Sequence, residues 1–178
     1  LHEVGHTLGL NHNFKASYLH NNEDVHNPEI TSKRGVTASV MEYPAINLAP
    51  VGIEQGDYYD VRPGPYDIWA IKYGYTPGLS ENELNEILKE ADKPEHMFAN
   101  DSEDMRYPGR GIDPRAMIYD LSNDPVEYAI KRMDLVNKTQ NDLIEKLDQK
   151  AESWEEYRLA HRILIREYGR SLEVISRQ

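Results

Sequence analysis

The sequence contains no cysteine among its 178 residues. Disulfide bonds, thiol catalysis and cysteine-ligated zinc are therefore excluded, although a chain without cysteine can fold in any redox compartment. Long apolar runs are also missing: none approaches the roughly 20 residues that a bilayer-spanning helix needs, and the mean hydropathy is -0.74. The sequence therefore predicts no transmembrane segment.

Basic residues are scarce as well. The chain has 20 Lys and Arg against 31 Asp and Glu, which gives a formal net charge of -11. Nucleic acids and anionic membranes attract proteins that carry basic patches. We therefore expect neither of them to be the main partner.

The strongest signal in the sequence lies at the start of the chain, where three histidines and a glutamate occur close together. On a helix, His2 and His6 share one face with a rise of about 6 Å between them, so both imidazoles can bind one Zn²⁺. Glu3 lies beside the first ligand, where it can reach a zinc-bound water. Gly9 permits a sharp turn that ends the helix, and His12 can then supply a third nitrogen. Three protein ligands and one open position are typical of catalytic zinc.

The alternative is that these are ordinary surface or packed histidines, and a lone histidine pair at this spacing would favour it. Five specified positions coincide here, however, which composition alone produces on the order of once in ten million windows. The sequence therefore predicts a zinc site. Four other histidines lack partners at ligand spacing and are predicted to be packed or exposed: His20, His26, His96 and His161. The acidic run at 101–104 lacks the alternation of a calcium loop, so we predict a solvated loop there.

With this motif, the sequence resembles the metzincin metallopeptidases, whose signature is the elongated zinc motif followed by a Met-turn. Ser39-Val40-Met41-Glu42-Tyr43 is similar to that Met-turn, and the segment from Asp67 to Gly74 is similar to the helix that closes the lower subdomain. The resemblance implies that Met41 lies beneath the zinc as a hydrophobic floor. It also makes Tyr43 a candidate for stabilising the oxyanion.

A narrower resemblance is carried by three further segments. Residues 12–17 (His-Asn-Phe-Lys-Ala-Ser), Asp113-Pro114-Arg115 and Asp124-Pro125 are similar to large bacterial zinc-dependent Met-zincin proteins of poorly defined function. In those proteins a helical extension follows the catalytic core. The resemblance implies a periplasmic, secreted or surface-anchored parent protein.

The expected fold class is mainly α with long loops. We predict a metzincin lower subdomain over residues 1–75 and a helical C-terminal extension over residues 76–178. Caps and periodicity predict four helices. The first covers residues 66–73 and is ended by Gly74, and the second is opened by a Ser80–Glu83 capping box. The third is one continuous helix over 125–147, and the fourth is opened by a Ser153–Glu156 capping box. In the last of these, Trp154, Tyr157 and Tyr168 are predicted to lie in the core.

The function predicted from these features is a zinc-dependent metalloendopeptidase that acts on a peptide or protein, with Glu3 as general base. The chain begins at Leu1 without an initiator methionine or a signal peptide, so we expect a longer parent protein. The resemblance implies an upper subdomain before the zinc motif. We therefore expect the chain alone to bind zinc weakly or not at all and to be inactive, with the missing N-terminal part of the parent as its partner.

Two alternatives remain open at this point. The chain could be a non-catalytic helical binding or scaffold module of a larger protein, or a zinc-stabilised hydrolase that acts on something other than peptides. A full-length parent protein that has no activity but still binds its partner would favour the binding or scaffold module. A peptide-library assay on the full-length protein would separate the second from a peptidase.

Overall fold

A computed structural model of the chain describes residues 1–107, 109, 111–148 and 153–178. Within these ranges the chain forms helices and loops without any β-strand, so the prediction of a mainly α fold is confirmed. The seven α-helices are α1 (His2–Thr7), α2 (Pro28–Arg34), α3 (Pro65–Tyr75), α4 (Glu81–Leu88), α5 (Pro125–Asn141), α6 (Leu143–Asp148) and α7 (Trp154–Arg177). Short 3₁₀ turns lie at Ala16–Leu19, Asp24–His26, Pro94–His96 and Asp101–Glu103. None of the described helices has the length and apolarity to cross a bilayer.

Helix α3 is two residues longer at its C-terminal end than predicted. Gly74 lies inside the helix, because the Thr76 backbone N–H and hydroxyl both bond the Lys72 carbonyl and close the last turn. The Tyr75 hydroxyl donates to the Leu8 carbonyl at 2.9 Å, which joins this end of α3 to the end of α1. Pro77 follows and prevents a further turn.

Helix α4 begins as predicted. The Ser80 hydroxyl accepts from the Glu83 backbone N–H, and the Glu83 carboxylate accepts from the Ser80 backbone N–H, which is the reciprocal capping box. The other predicted capping box is wrong, since the Ser153 hydroxyl makes no cap hydrogen bond. Instead, the Glu156 N–H donates to the Ser153 carbonyl and closes the first turn of α7 through the backbone.

The predicted continuous helix over 125–147 is two helices. Asp142 separates α5 from α6, and it follows Asn141. Both residues have short polar side chains that compete for backbone hydrogen bonds, which lowers their preference for a helix interior. The prediction that Trp154 lies in the core is also wrong: its side chain is 84% exposed and packs on Tyr157.

Among the described residues, two small apolar clusters form the centre of the core. One joins the front loops to α5 through four buried residues, and the other joins α5 to α7. Their members are Val25, Val36, Leu121 and Tyr128 in the first cluster, and Met117, Ala129 and Val174 in the second. The chain around residue 120 contributes to both clusters, so the C-terminal helices are packed onto the loop-rich front of the chain.

A buried carboxylate ties the start of α3 to the loop that precedes Met41. Asp67 is 3% exposed and accepts hydrogen bonds from the Ser39 hydroxyl at 2.5 Å and from the backbone N–H groups of Val40 and Gly64, both at 2.9 Å. Because an ionised carboxylate forms stronger hydrogen bonds than a neutral acceptor, this residue fixes the position of the loop on the helix.

The two regions predicted from the sequence are in contact through their backbones. The Phe14 N–H donates to the Ala99 carbonyl at 2.8 Å, and the Met117 N–H donates to the Phe14 carbonyl at 3.2 Å. The Asn13 side chain donates to the Met97 carbonyl at 3.0 Å and accepts from the Ala99 N–H. The segment that follows His12 is therefore bound to residues 97–99 and 117. Where one region ends and the other begins stays a prediction.

We predict that Gly64→Ala destabilises the fold by roughly 1–3 kcal/mol, as overpacking does. A Cβ at position 64 would lie 2.1 Å from the Ala38 carbonyl oxygen and 2.8 Å from the Ser39 nitrogen, and both are backbone atoms. Gly169→Ala in α7 is the matched control, because its Cβ meets no atom within 4 Å. It should stabilise the helix by about 0.5–1 kcal/mol. Urea unfolding of both variants measures this difference, and equal effects would contradict it.

Candidate metal centre

Helix α1 and the turn after it bring three imidazoles together. His2 and His6 stand one turn apart on α1, and Gly9 has φ +83, the left-handed conformation that ends a helix and redirects the chain. This turn returns His12 to the same face. The ring centroids of the three histidines are 4.9–5.3 Å apart, and each ring offers a nitrogen within 4.8 Å of the others.

The hydrogen bonds of the three rings fix their tautomers. Each Nδ1 faces an oxygen that can only accept: the Val40 carbonyl for His2 at 2.7 Å and the Leu10 carbonyl for His6 at 3.0 Å. His12 Nδ1 faces the Asp101 carboxylate at 2.9 and 3.0 Å. Each Nδ1 must therefore carry the proton, which leaves each Nε2 with a free lone pair. This is the pattern of metal-ligating histidines.

His2 gives the clearest sign that a metal fits. Its Nε2 is buried and has no hydrogen-bond partner among the described residues. Burial, followed by the nearby His6 and His12 rings, lowers the pKa of His2, while its hydrogen bond to Val40 acts in the opposite direction. The neutral form is thus favoured, and it is the form that binds metal. Three imidazole nitrogens are a donor set that suits Zn²⁺ well.

Met41 lies directly beneath α1. It is completely buried, and its sulfur occupies the space next to Gly5, where a Cβ would lie 2.2 Å from Sδ. Only glycine at position 5 allows the methionine to approach the helix this closely. The position of Met41 under the helix that carries His2 and His6 is compatible with the predicted floor of the site.

Tyr43 packs against the imidazoles from the side. Its ring stacks on His2 with centroids 4.6 Å apart and lies 5.0 Å from the ring of His12. Burial and the negative charges of Glu3 and Asp101 raise the pKa of its hydroxyl, so it remains a proton donor at neutral pH. Glu3 and Tyr43 line the same groove of about 440 Å³, to which His2 also contributes.

The acidic run at 101–104 is exposed at Asp101 and Ser102, as expected of a solvated loop, but two of its carboxylates have partners that the sequence does not predict. Asp101 pairs with His12, and Asp104 is buried and pairs with Arg106 at 2.6 Å. The turn is held by Asn100, whose side chain accepts from the Ser102 N–H at 3.0 Å. A run of like charges gives no local indication of these partners, because they are set by the fold.

The remaining histidines lie elsewhere, as expected. His20 is buried and bonds the Gly35 carbonyl, and His26 stacks on Tyr128. His96 stacks on Trp69 with ring centroids 4.8 Å apart. Among the described residues, only His2, His6 and His12 form a group that could hold a metal ion.

A pair of buried carboxyls lies behind the Met-turn, and sequence reasoning missed it. Glu42 and Asp120 are 4% and 1% exposed. Burial raises the pKa of the Asp120 carboxyl to about 8, and burial together with the charge of Asp120 raises the pKa of Glu42 well above its ordinary value. The backbone N–H groups of Ser17 and Tyr43 donate to Glu42, which connects this pair to the wall of the site.

Three converging imidazoles on a helix and its following turn, above a buried methionine, define a zincin-type centre within a helical domain. The chain belongs to the Met-zincin family, whose model matches residues 1–178. It is therefore a metallopeptidase-like domain, and membership implies zinc binding. Neither a curated protein nor a solved structure gave a significant match.

We predict that Asp120 contributes a decrease in the free energy of unfolding as the pH rises from 4 to 8, and that Asp120→Asn removes this contribution and makes the slope less negative. The pKa of Asp120 rises from its ordinary 3.8 to about 8 on folding. In this window the folded protein therefore holds a proton that the unfolded chain has lost, so raising the pH favours unfolding. Chemical unfolding at four pH values measures the slope.

Asp113→Asn is the matched control for this experiment. Arg115, with Lys15, holds the pKa of Asp113 well below its usual range. This carboxyl is therefore ionised in both states above pH 5, and its variant should parallel the wild type from there to pH 8. An Asp120→Asn curve as steep as the wild type would show that Asp120 does not take up a proton on folding.

Proposed function

We propose that this chain carries the metal centre of a zinc-dependent metalloendopeptidase. The observation that supports this most directly is that all three imidazoles donate their Nδ1–H to fixed oxygens, leaving three Nε2 lone pairs beside one another. His2, His6 and His12 are the ligands. Zinc bound by them would supply Lewis-acid chemistry, since it would polarise a scissile carbonyl and lower the pKa of a water molecule.

Glu3 is the proposed general base. It follows the first ligand on α1, is exposed, and lines the groove beside the imidazoles together with Tyr43. Its carboxylate accepts a proton from the attacking water and delivers it to the leaving amine. A carboxylate placed beside the metal ligands but turned toward the groove can perform both transfers.

Tyr43 is the proposed oxyanion donor. Its ring is held by stacking on His2, and its raised pKa keeps the hydroxyl protonated. A preorganised O–H donor stabilises the negative charge that develops on the carbonyl oxygen in the transition state. The groove is also lined by the aromatic rings of Tyr59 and Tyr119, which offer apolar surface to a peptide side chain.

We predict that Glu3→Gln in the full-length protein keeps zinc but lowers kcat for peptide hydrolysis by about 10²–10⁴-fold, the range typical of a lost general base. Metal analysis gives the zinc content, and a fluorogenic peptide library gives the rate. Glu54→Gln is the matched control, because Glu54 is exposed and lies outside the groove. Undiminished cleavage by Glu3→Gln would overturn the role of Glu3, and a wild type without zinc would overturn the proposed function.

We predict that Tyr43→Phe lowers kcat by about 10²–10³-fold, as removal of one oxyanion donor does, with little change in KM. The phenylalanine ring keeps the stacking on His2, so zinc affinity should not change. Steady-state kinetics and zinc titration of the same variant separate the two effects. A loss of zinc affinity equal to the loss of rate would instead indicate that Tyr43 supports the ligands only.

The chain alone is proposed to bind zinc weakly and to lack activity, with the rest of a parent protein completing the cleft. Leu1, Val4 and Leu8 on or beside α1 are exposed and line an apolar groove of about 620 Å³ with Ile68 of α3. Exposed apolar surface beside the ligand helix supports this proposal. Stoichiometric, tight zinc in the purified chain would contradict it. The extracytoplasmic location of the parent stays a prediction.

A further inference from the structure

The third ligand differs from the other two in the group that holds it. His2 and His6 donate their Nδ1–H to backbone carbonyls within the first 40 residues. His12 donates to a side-chain carboxylate 89 residues away, with both Asp101 oxygens within 3.0 Å of Nδ1. A carboxylate contributes a full negative charge, which makes the bond to the imidazole stronger than one to a carbonyl.

The backbone places Asp101 beside His12. The Phe14 N–H bonds the Ala99 carbonyl, and the Asn13 side chain bonds both Met97 and Ala99. Residues 13–14 and 97–99 are thus held side by side. Asn13 directly follows His12, and Ala99 lies two residues before Asp101. The N–H of Asn100 donates to Glu103 at 2.9 Å and fixes the turn in which Asp101 lies.

The exposure of this pair indicates that stability is not its main effect. The side chain of His12 is 21% exposed and that of Asp101 is 65% exposed. Even an ion pair with such exposure would contribute little to folding, because water screens it and both side chains lose rotamer freedom. What the carboxylate does control is which nitrogen of His12 bears the proton, and hence which one is free to bind a metal.

We infer that Asp101 is a positioning residue of the metal centre. It holds His12 as the Nδ1–H tautomer, directs Nε2 toward His2 and His6, and makes the imidazole a stronger ligand. This inference rests on the proposed function, since it assumes that the three histidines bind zinc. It also assigns a role to the C-terminal region, in which the sequence shows no chemical motif.

The test compares Asp101→Ala and Asp101→Asn with Asp92→Asn. Alanine removes the acceptor, whereas asparagine keeps one oxygen without the charge. Asp92 is exposed and lies outside the acidic turn, so its variant removes one negative charge away from the site. Zinc affinity of each variant, made in the full-length protein, is measured by competition with a chromophoric chelator.

We expect zinc affinity to fall about 10–100-fold in Asp101→Ala, the usual effect of losing such a partner, with Asp101→Asn in between and Asp92→Asn unchanged. A purely structural role would instead lower the melting temperature of the metal-free protein, which we expect to stay constant. Affinity within twofold of the wild type in Asp101→Ala would overturn the inference.

A second measurement does not need zinc. Proton–nitrogen NMR correlation spectra of the metal-free chain, at a pH where the imidazole is neutral, report which nitrogen of His12 is protonated. We expect Nδ1–H in the wild type and a shift toward Nε2–H in Asp101→Ala. An unchanged tautomer in Asp101→Ala overturns the inference alone, whereas the expected tautomer change together with a wild-type full-length protein that binds no zinc overturns the proposed function.

Discussion

The hydrogen bonds of Asp67 are the constraint on which the site depends. This one buried carboxylate binds the first turn of α3 to Ser39 and Val40, and the carbonyl of Val40 in turn receives the Nδ1–H of His2. The orientation of the first imidazole therefore depends on Asp67 of α3, 65 residues further along the chain. Without Asp67, the Ser39 hydroxyl and two buried N–H groups would lack an acceptor, and leaving such groups unsatisfied costs more than the hydrogen bonds themselves contribute.

The three imidazoles are each held by a different part of the chain. His2 depends on the loop before Met41, His6 on the turn after its own helix, and His12 on the acidic turn at 101–104. The close approach of Met41 to Gly5 determines how closely α1 packs on the rest of the chain. The arrangement places stiff, buried contacts beneath the site and leaves Glu3 and Tyr43 on the groove side, where chemistry requires access.

Short patterns in the sequence were sufficient to predict the features that depend on residues close together in the chain. The spacing of His2, His6 and Gly9 predicts a helix, its end and a shared face, since each depends on residues within a few positions. The Ser80–Glu83 capping box is also confirmed for this reason. Met41 and Tyr43 could be chosen only through a family resemblance, because the residues alone favour simple packing for a methionine and a tyrosine in a loop.

Contacts between distant residues could not be predicted in this way. Nothing in the run at 101–104 distinguishes Asp101 from its neighbours, and the pairing of Glu42 with Asp120 joins residues far apart in the chain. Two further examples are the break between α5 and α6 at Asp142 and the exposure of Trp154. Helical periodicity does not indicate which face of a helix packs against another element. These partners are chosen by the packing of the whole domain.

The contact between His12 and Asp101 also determines when His12 can be oriented during synthesis of the chain. A ribosome adds roughly 5–20 residues per second, so the first two ligands emerge several seconds before the acidic turn that holds the third. Contacts of long sequence separation form late, because the loop between them must close first. The nascent chain thus presents all three ligands, but the third has no acceptor to orient it until residues 97–101 have been synthesised and have folded back.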